Sequence, residues 1–118
     1  KSLHVYFKAL QAIKPEKKRV MVLSEFGGYT LKLEEHAWNP EAEYSYRKFT
    51  TPEALTEAYI SLLETQLKPW IDAGLSAAIY TQTTDVEIEV NGYLTYDRQL
   101  AKMDFARVKE AHAKLFRF

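Results

Sequence analysis

No cysteine occurs among the 118 residues, and its absence excludes disulfides, thiolate metal sites and a cysteine nucleophile. An excess of charge is lacking too: sixteen basic residues balance sixteen acidic ones, so there is no electrostatic reason to expect DNA, RNA or an anionic membrane surface as partner. No apolar run approaches the roughly 20 residues of a membrane span and no signal peptide is visible, which makes a cytoplasmic location the expectation. His4, His36 and His112 stand far apart and none belongs to an H-x-x-x-H pair, so no metal site is expected. There is no P-loop and no G-x-G-x-x-G, Gly27-Gly28 being too short to cradle a phosphate, and no cofactor is expected. Glycine and proline are scarce, at four each, and 47% of the residues are hydrophobic, as in a folded globular piece rather than a disordered one. The chain opens on Lys1, inside an element, as a segment cut from something longer would.

Along the chain, Leu3, Tyr6, Phe7, Leu10 and Ile13 recur at three- and four-residue spacing, which predicts an amphipathic helix ending before Pro15. A short polar connection leads to Val20, Met21, Val22 and Leu23, an apolar run of the kind that a strand buried on both faces needs. Residues 26–50 show no sustained period but hold Phe26, Tyr29, Trp38, Tyr44, Tyr46 and Phe49. These rings either form a stacking wall for the apolar face of a sugar, with Tyr29 and Trp38 as candidates, or pack together under the loop. Thr51-Pro52-Glu53 then starts a long helix by its capping hydroxyl, donor-free proline and acidic first turn. Leu55, Ala58, Tyr59, Leu62, Leu63, Leu67, Trp70 and Ile71 form its buried stripe, with a kink expected between Thr65 and Pro69 and a stop at Gly74.

Leu75 to Tyr80 reads as a second strand, and strand, helix, strand implies parallel pairing. Val86, Ile88 and Val90 alternate with Asp85, Glu87 and Glu89 ahead of Asn91-Gly92, locally a hairpin pattern with Tyr93 to Tyr96 as its return and the acids as a solvated face. Asp104 caps a last helix with Phe105, Val108, Ala111, Leu115 and Phe116 facing inward. The predicted order is helix, strand, helix, strand, helix. Two parallel strands cannot cover their own faces or edges, so as a sheet this is physically incomplete.

Glu25 stands where the first apolar strand surfaces, followed by Gly27 and Gly28. In a barrel of parallel strands catalytic groups collect at that end, because the loops opening there can be reshaped without disturbing the packed strands below. A carboxylate at a strand end is also a common salt-bridge partner or capping group. Ser24 has no nucleophile elbow around it.

Ser24-Glu25-Phe26-Gly27-Gly28-Tyr29, followed some fifty residues later by AAIYTQTTDVEIEVNGYLTYDR from Ala77 to Arg98, resembles the carboxy-terminal part of the catalytic barrel of glycoside hydrolase family 2, which contains the β-galactosidases, β-glucuronidases and β-mannosidases. The similarity covers nearly the whole chain. It implies an α/β fold, the C-terminal portion of a (β/α)8 TIM barrel, with Val20 to Ser24 as strand seven and Leu75 to Thr81 as strand eight. It implies that Glu25 is the nucleophile of a retaining β-glycosidase and that Tyr80 or Gln82 lines the sugar subsite. It also turns the segment after Gln82 from a hairpin into a loop over the barrel mouth. The acid/base of that family is the Glu of an Asn-Glu pair ending strand four, and no Asn-Glu occurs here.

The expectation is therefore a barrel segment that holds the nucleophile but is inactive alone. Its partners would be a carbohydrate substrate and the remainder of the barrel, or further copies of itself. The competing reading is a non-catalytic carbohydrate-binding or structural α/β piece in which Glu25 hydrogen-bonds a ligand or a neighbouring strand.

Overall fold

A computed structural model of the chain describes residues 1–6 and 16–117. They form a mixed α/β fold around a three-stranded parallel sheet of order β1-β2-β5, with β1 at Ser2–Tyr6, β2 at Met21–Gly27 and β5 at Leu75–Thr81. The first element thus differs from expectation. Ser2–Tyr6 is a strand rather than the start of a helix, and the remainder of the predicted helix, Phe7 to Ile13, lies outside the described residues. Leu3 and Val5 pack against the core while Ser2 and His4 are exposed, the period of two that a strand with one covered face requires. The sheet consequently has three described parallel strands, not two.

β2 is covered on one face, not both. Met21, Leu23 and Phe26 are buried, whereas Val20 is 67% exposed and precedes the strand. Leu23 and Phe26 both reach the core although three positions separate them. The register against β1 slips at this point, with Leu3 opposite Leu23 but His4 opposite Glu25. This bulge leaves Ser24 and Glu25 together between two inward-facing residues, as an extra residue in one strand does.

The helical layer begins as expected. Thr51 Oγ1 accepts from the Ala54 N–H at 3.1 Å and caps α1, Pro52–Leu62. Ahead of Pro69, which cannot donate a backbone bond, the winding widens to a π-turn over Leu63–Leu67, where the Lys68 N–H returns to the Leu63 carbonyl. The helix resumes as α2, Lys68–Asp72, and ends at Gly74, whose φ of +107° an L side chain rarely adopts. Asp104 Oδ1 accepts from the N–H groups of Ala106 and Arg107 and caps α3, Phe105–Leu115. Leu55, Tyr59, Leu62, Leu63, Leu67, Val108, Ala111 and Leu115 join Leu23, Phe26 and Leu75 in one core. Phe105 and Phe116 were expected inside, but both are exposed, at 46% and 70%.

The opposite face of the sheet carries Ala77 and Ile79, both exposed, the latter at 55%. Residues 26–50 include a short parallel pair, β3 at Tyr29–Thr30 with β4 at Arg47–Lys48. Their rings pair with one another: Tyr29 with Phe49 at 5.3 Å and Tyr44 edge-on to Tyr46 at 5.2 Å. Among the described residues no helix is long and apolar enough to cross a membrane.

Candidate functional site

The C-terminal ends of the three parallel strands bring Tyr6, Glu25 and Thr81 together. The Tyr6 hydroxyl donates to Glu25 Oε2 and lies 3.5 Å from Thr81 Oγ1. His4 Nδ1 approaches the same oxygen, Oε2, at 3.0 Å. Glu25 Oε1 takes no hydrogen bond from the described residues, and the side chain is 41% exposed. Burial raises the Tyr6 pKa, and the hydrogen bond to Glu25 raises it further, so Tyr6 remains a donor through neutral pH.

Gly27 and Gly28 follow at φ +94° and +68°. A methyl on Gly28 would lie 2.7 Å from Tyr46 Cδ2, and one on Gly27 would enter the Tyr80 ring. Both glycines therefore admit rings that close on the backbone beside Glu25. Tyr46 stacks on Tyr6 with centroids 4.6 Å apart and planes 4° from parallel.

The other expected site residues are spread more widely. Gln82, just past β5, has its Nε2 2.5 Å from Asn91 Oδ1 and 3.5 Å from Glu89 Oε2. Tyr80 points into the core with Phe26, Tyr59 and Tyr93, and burial pushes its hydroxyl pKa far up. Tyr29 is buried beneath Phe49 and Arg47. Trp38 is 51% exposed. The structure thus sets Glu25 against Tyr6 and His4, and Gln82 against Asn91 and Glu89, while Tyr80 and Tyr29 are packed among other rings. Tyr6 and His4 escaped the sequence reading because the helical spacing of Leu3, Tyr6 and Leu10 obscured the alternation Ser2, His4, Tyr6.

Residues 82–103 form a loop, not a hairpin. Tyr93 N–H donates to Gln82 O and Leu94 N–H to Thr83 O, so the segment after Asn91 runs beside 82–85. Asp85 is buried rather than on a solvated face. Its Oδ1 lies 2.5 Å from Lys102 Nζ and accepts from the Gly92 N–H, and Lys102 also donates to Val90 O. Burial raises the Asp85 pKa and lowers that of Lys102, each opposed by the other's charge. Among the described residues no group of three His, Asp or Glu is arranged to hold a metal ion.

The class of arrangement is a carboxylate on the middle strand of a parallel sheet, at its C-terminal end, oriented by a tyrosine from the adjacent strand. No protein-family model and no curated protein matches the chain.

Proposed function

We propose that this chain is the carboxy-terminal part of the catalytic barrel of a retaining β-glycosidase of the glycoside hydrolase family 2 kind, with Glu25 as its nucleophile. The observation that carries the reading is the state of Glu25: Oε2 is held by Tyr6 while Oε1 takes no bond from the described residues. A nucleophile needs one oxygen fixed for aim and another available to form a bond. The exposed Ala77 and Ile79, opposite the helices, support the barrel, since its interior is filled by side chains from strands on all sides.

In this mechanism a Glu25 oxygen attacks the anomeric carbon as the bond to the leaving oxygen breaks, and an acid about 5–5.5 Å away supplies the proton to that oxygen. The conjugate base left by that acid then deprotonates water, which attacks the anomeric carbon and displaces the Glu25 carboxylate. Asp85 is unfit to be that acid because it is buried and ion-paired with the buried Lys102. The acid/base belongs to the rest of the barrel, and this chain alone hydrolyses no glycoside.

The test is Glu25→Gln in the complete protein. Turnover should fall by at least about 1,000-fold with binding retained, and a 2-fluoro glycoside should label Glu25 of the unaltered protein covalently. Near-normal turnover in the variant would overturn the assignment.

A further inference from the structure

Glu89 is a half-buried carboxylate that makes no ion pair with a lysine or arginine among the described residues. Its one side-chain hydrogen bond among them is the long contact at 3.5 Å from Gln82 Nε2. Gln82 is itself pinned, its Nε2 committed to Asn91, which is fully buried. A backbone bridge sets residue 89 beside Tyr44, and the Tyr44 N–H donates to Ile88 O at 2.6 Å. Tyr44 in turn lies edge-on to Tyr46, and Tyr46 stacks on Tyr6, the donor to Glu25. The electrostatics agree. Burial and the Glu25 bond raise the Tyr6 pKa, the Tyr44 bond and burial raise that of Tyr46 to about 12, and the Glu89 charge adds to both.

A half-buried carboxylate with no cation beside it accepts O–H or N–H donors, and sugar hydroxyls are such donors. An anionic substituent beside the Tyr6 hydroxyl would instead feel the charges of Glu25 and Glu89, both of which act on that group. We infer that Glu89, with Gln82 beside it, accepts hydroxyl hydrogens from the glycone and selects a neutral sugar over a uronic acid. This rests on Glu25 being the nucleophile.

The experiment uses the complete protein with 4-nitrophenyl β-galactoside, β-glucoside, β-mannoside and β-glucuronide. The best neutral substrate should exceed the glucuronide in kcat/KM on the order of 100-fold, since like charges are strongly disfavoured in such a site. Glu89→Gln should raise KM for the neutral sugar about 10-fold and narrow the ratio, and Glu89→Lys should narrow it further. A preference for the glucuronide, or a ratio that neither variant changes, overturns the inference and leaves Glu25 in its role. Turnover of no substrate, or turnover that survives Glu25→Gln, overturns the parent reading and the inference with it.

Discussion

The hydroxyl of Tyr6, the last residue of β1, donates to the Glu25 carboxylate on the neighbouring strand. Nineteen positions separate the two residues, and the contact exists because β1 and β2 run parallel with a bulge between them. Without the slip, alternation from the buried Leu23 would send Glu25 into the core and Phe26 outward. The bulge reverses both. It buries the phenylalanine and delivers the carboxylate to the tyrosine.

Tyr6→Phe removes the donor but keeps the ring that stacks on Tyr46. Stability should change by about 1 kcal/mol or less, the net worth of one hydrogen bond. In the complete protein kcat should fall roughly 10- to 100-fold with KM less affected, as expected when a nucleophile loses its aim. Unchanged kcat would show that Tyr6 does not position Glu25.

Local chemistry was legible wherever it depends on neighbours in sequence. The caps at Thr51 and Asp104 and the stop at Gly74 follow from residues within a few positions; before Pro69 a kink was expected and a π-turn is found, and the parallel pairing of β2 with β5 follows from the order strand, helix, strand. β1 was hidden because five residues are too few to separate a period of two from one of 3.6, and Phe7, Leu10 and Ile13 favoured the helix. Asp85 read as a solvated acid because its partner, Lys102, lies 17 residues onward. The position of Glu25 at a strand end was readable. The bulge that aims it and the tyrosine that holds it are tertiary facts that no local pattern carries.

The Lys102–Asp85 pair should act as the clasp of residues 82–103. Lys102→Met leaves Asp85 buried without a cation and should destabilise the protein by about 3–5 kcal/mol. Asp85→Asn alone strands Lys102 with only the Val90 carbonyl. The double variant should cost less than the sum of the two singles, because the second change removes the charge that the first leaves unpaired. Denaturant midpoints for the four proteins provide the check, and strict additivity would count against the coupling.

Tyr59 and His112 predict opposite pH limits. Tyr59 is fully buried, its hydroxyl 2.5 Å from that of Tyr93 and 2.7 Å from His112 Nε2, and burial pushes its pKa to about 12. Its folded pKa exceeds the ordinary value of 10.0, so its contribution is whole below about pH 10 and is lost as pH rises through 12, on the order of 2–3 kcal/mol. Burial lowers the His112 pKa below 6.5, so that contribution is present above pH 6.5 and is lost as pH falls through the depressed value. Tyr59→Phe should flatten the alkaline limb of stability against pH, and His112→Gln the acid limb. Limbs unchanged in these variants would assign the titrations to other groups.

The last expectation concerns the uncovered side of the sheet. Ile79 is 55% exposed, Ala77 is exposed beside it, and β1 and β5 form the edges of the described sheet. Outward apolar side chains between free strand edges are a template for pairing with another chain. The helices cannot fill that role, since they already cover the face holding Leu23, Phe26 and Leu75. Prepared as a separate molecule, the 118-residue chain should therefore self-associate through this face. Ile79→Lys, which puts a charge on the strand that must pair, should shift sedimentation toward monomer without lowering helix content. Amide exchange adds a second readout, because edge pairing should slow exchange in β5 as concentration rises. A compact monomer whose β2 and β5 amides are strongly protected at every concentration would sink this expectation and weigh against the proposed barrel.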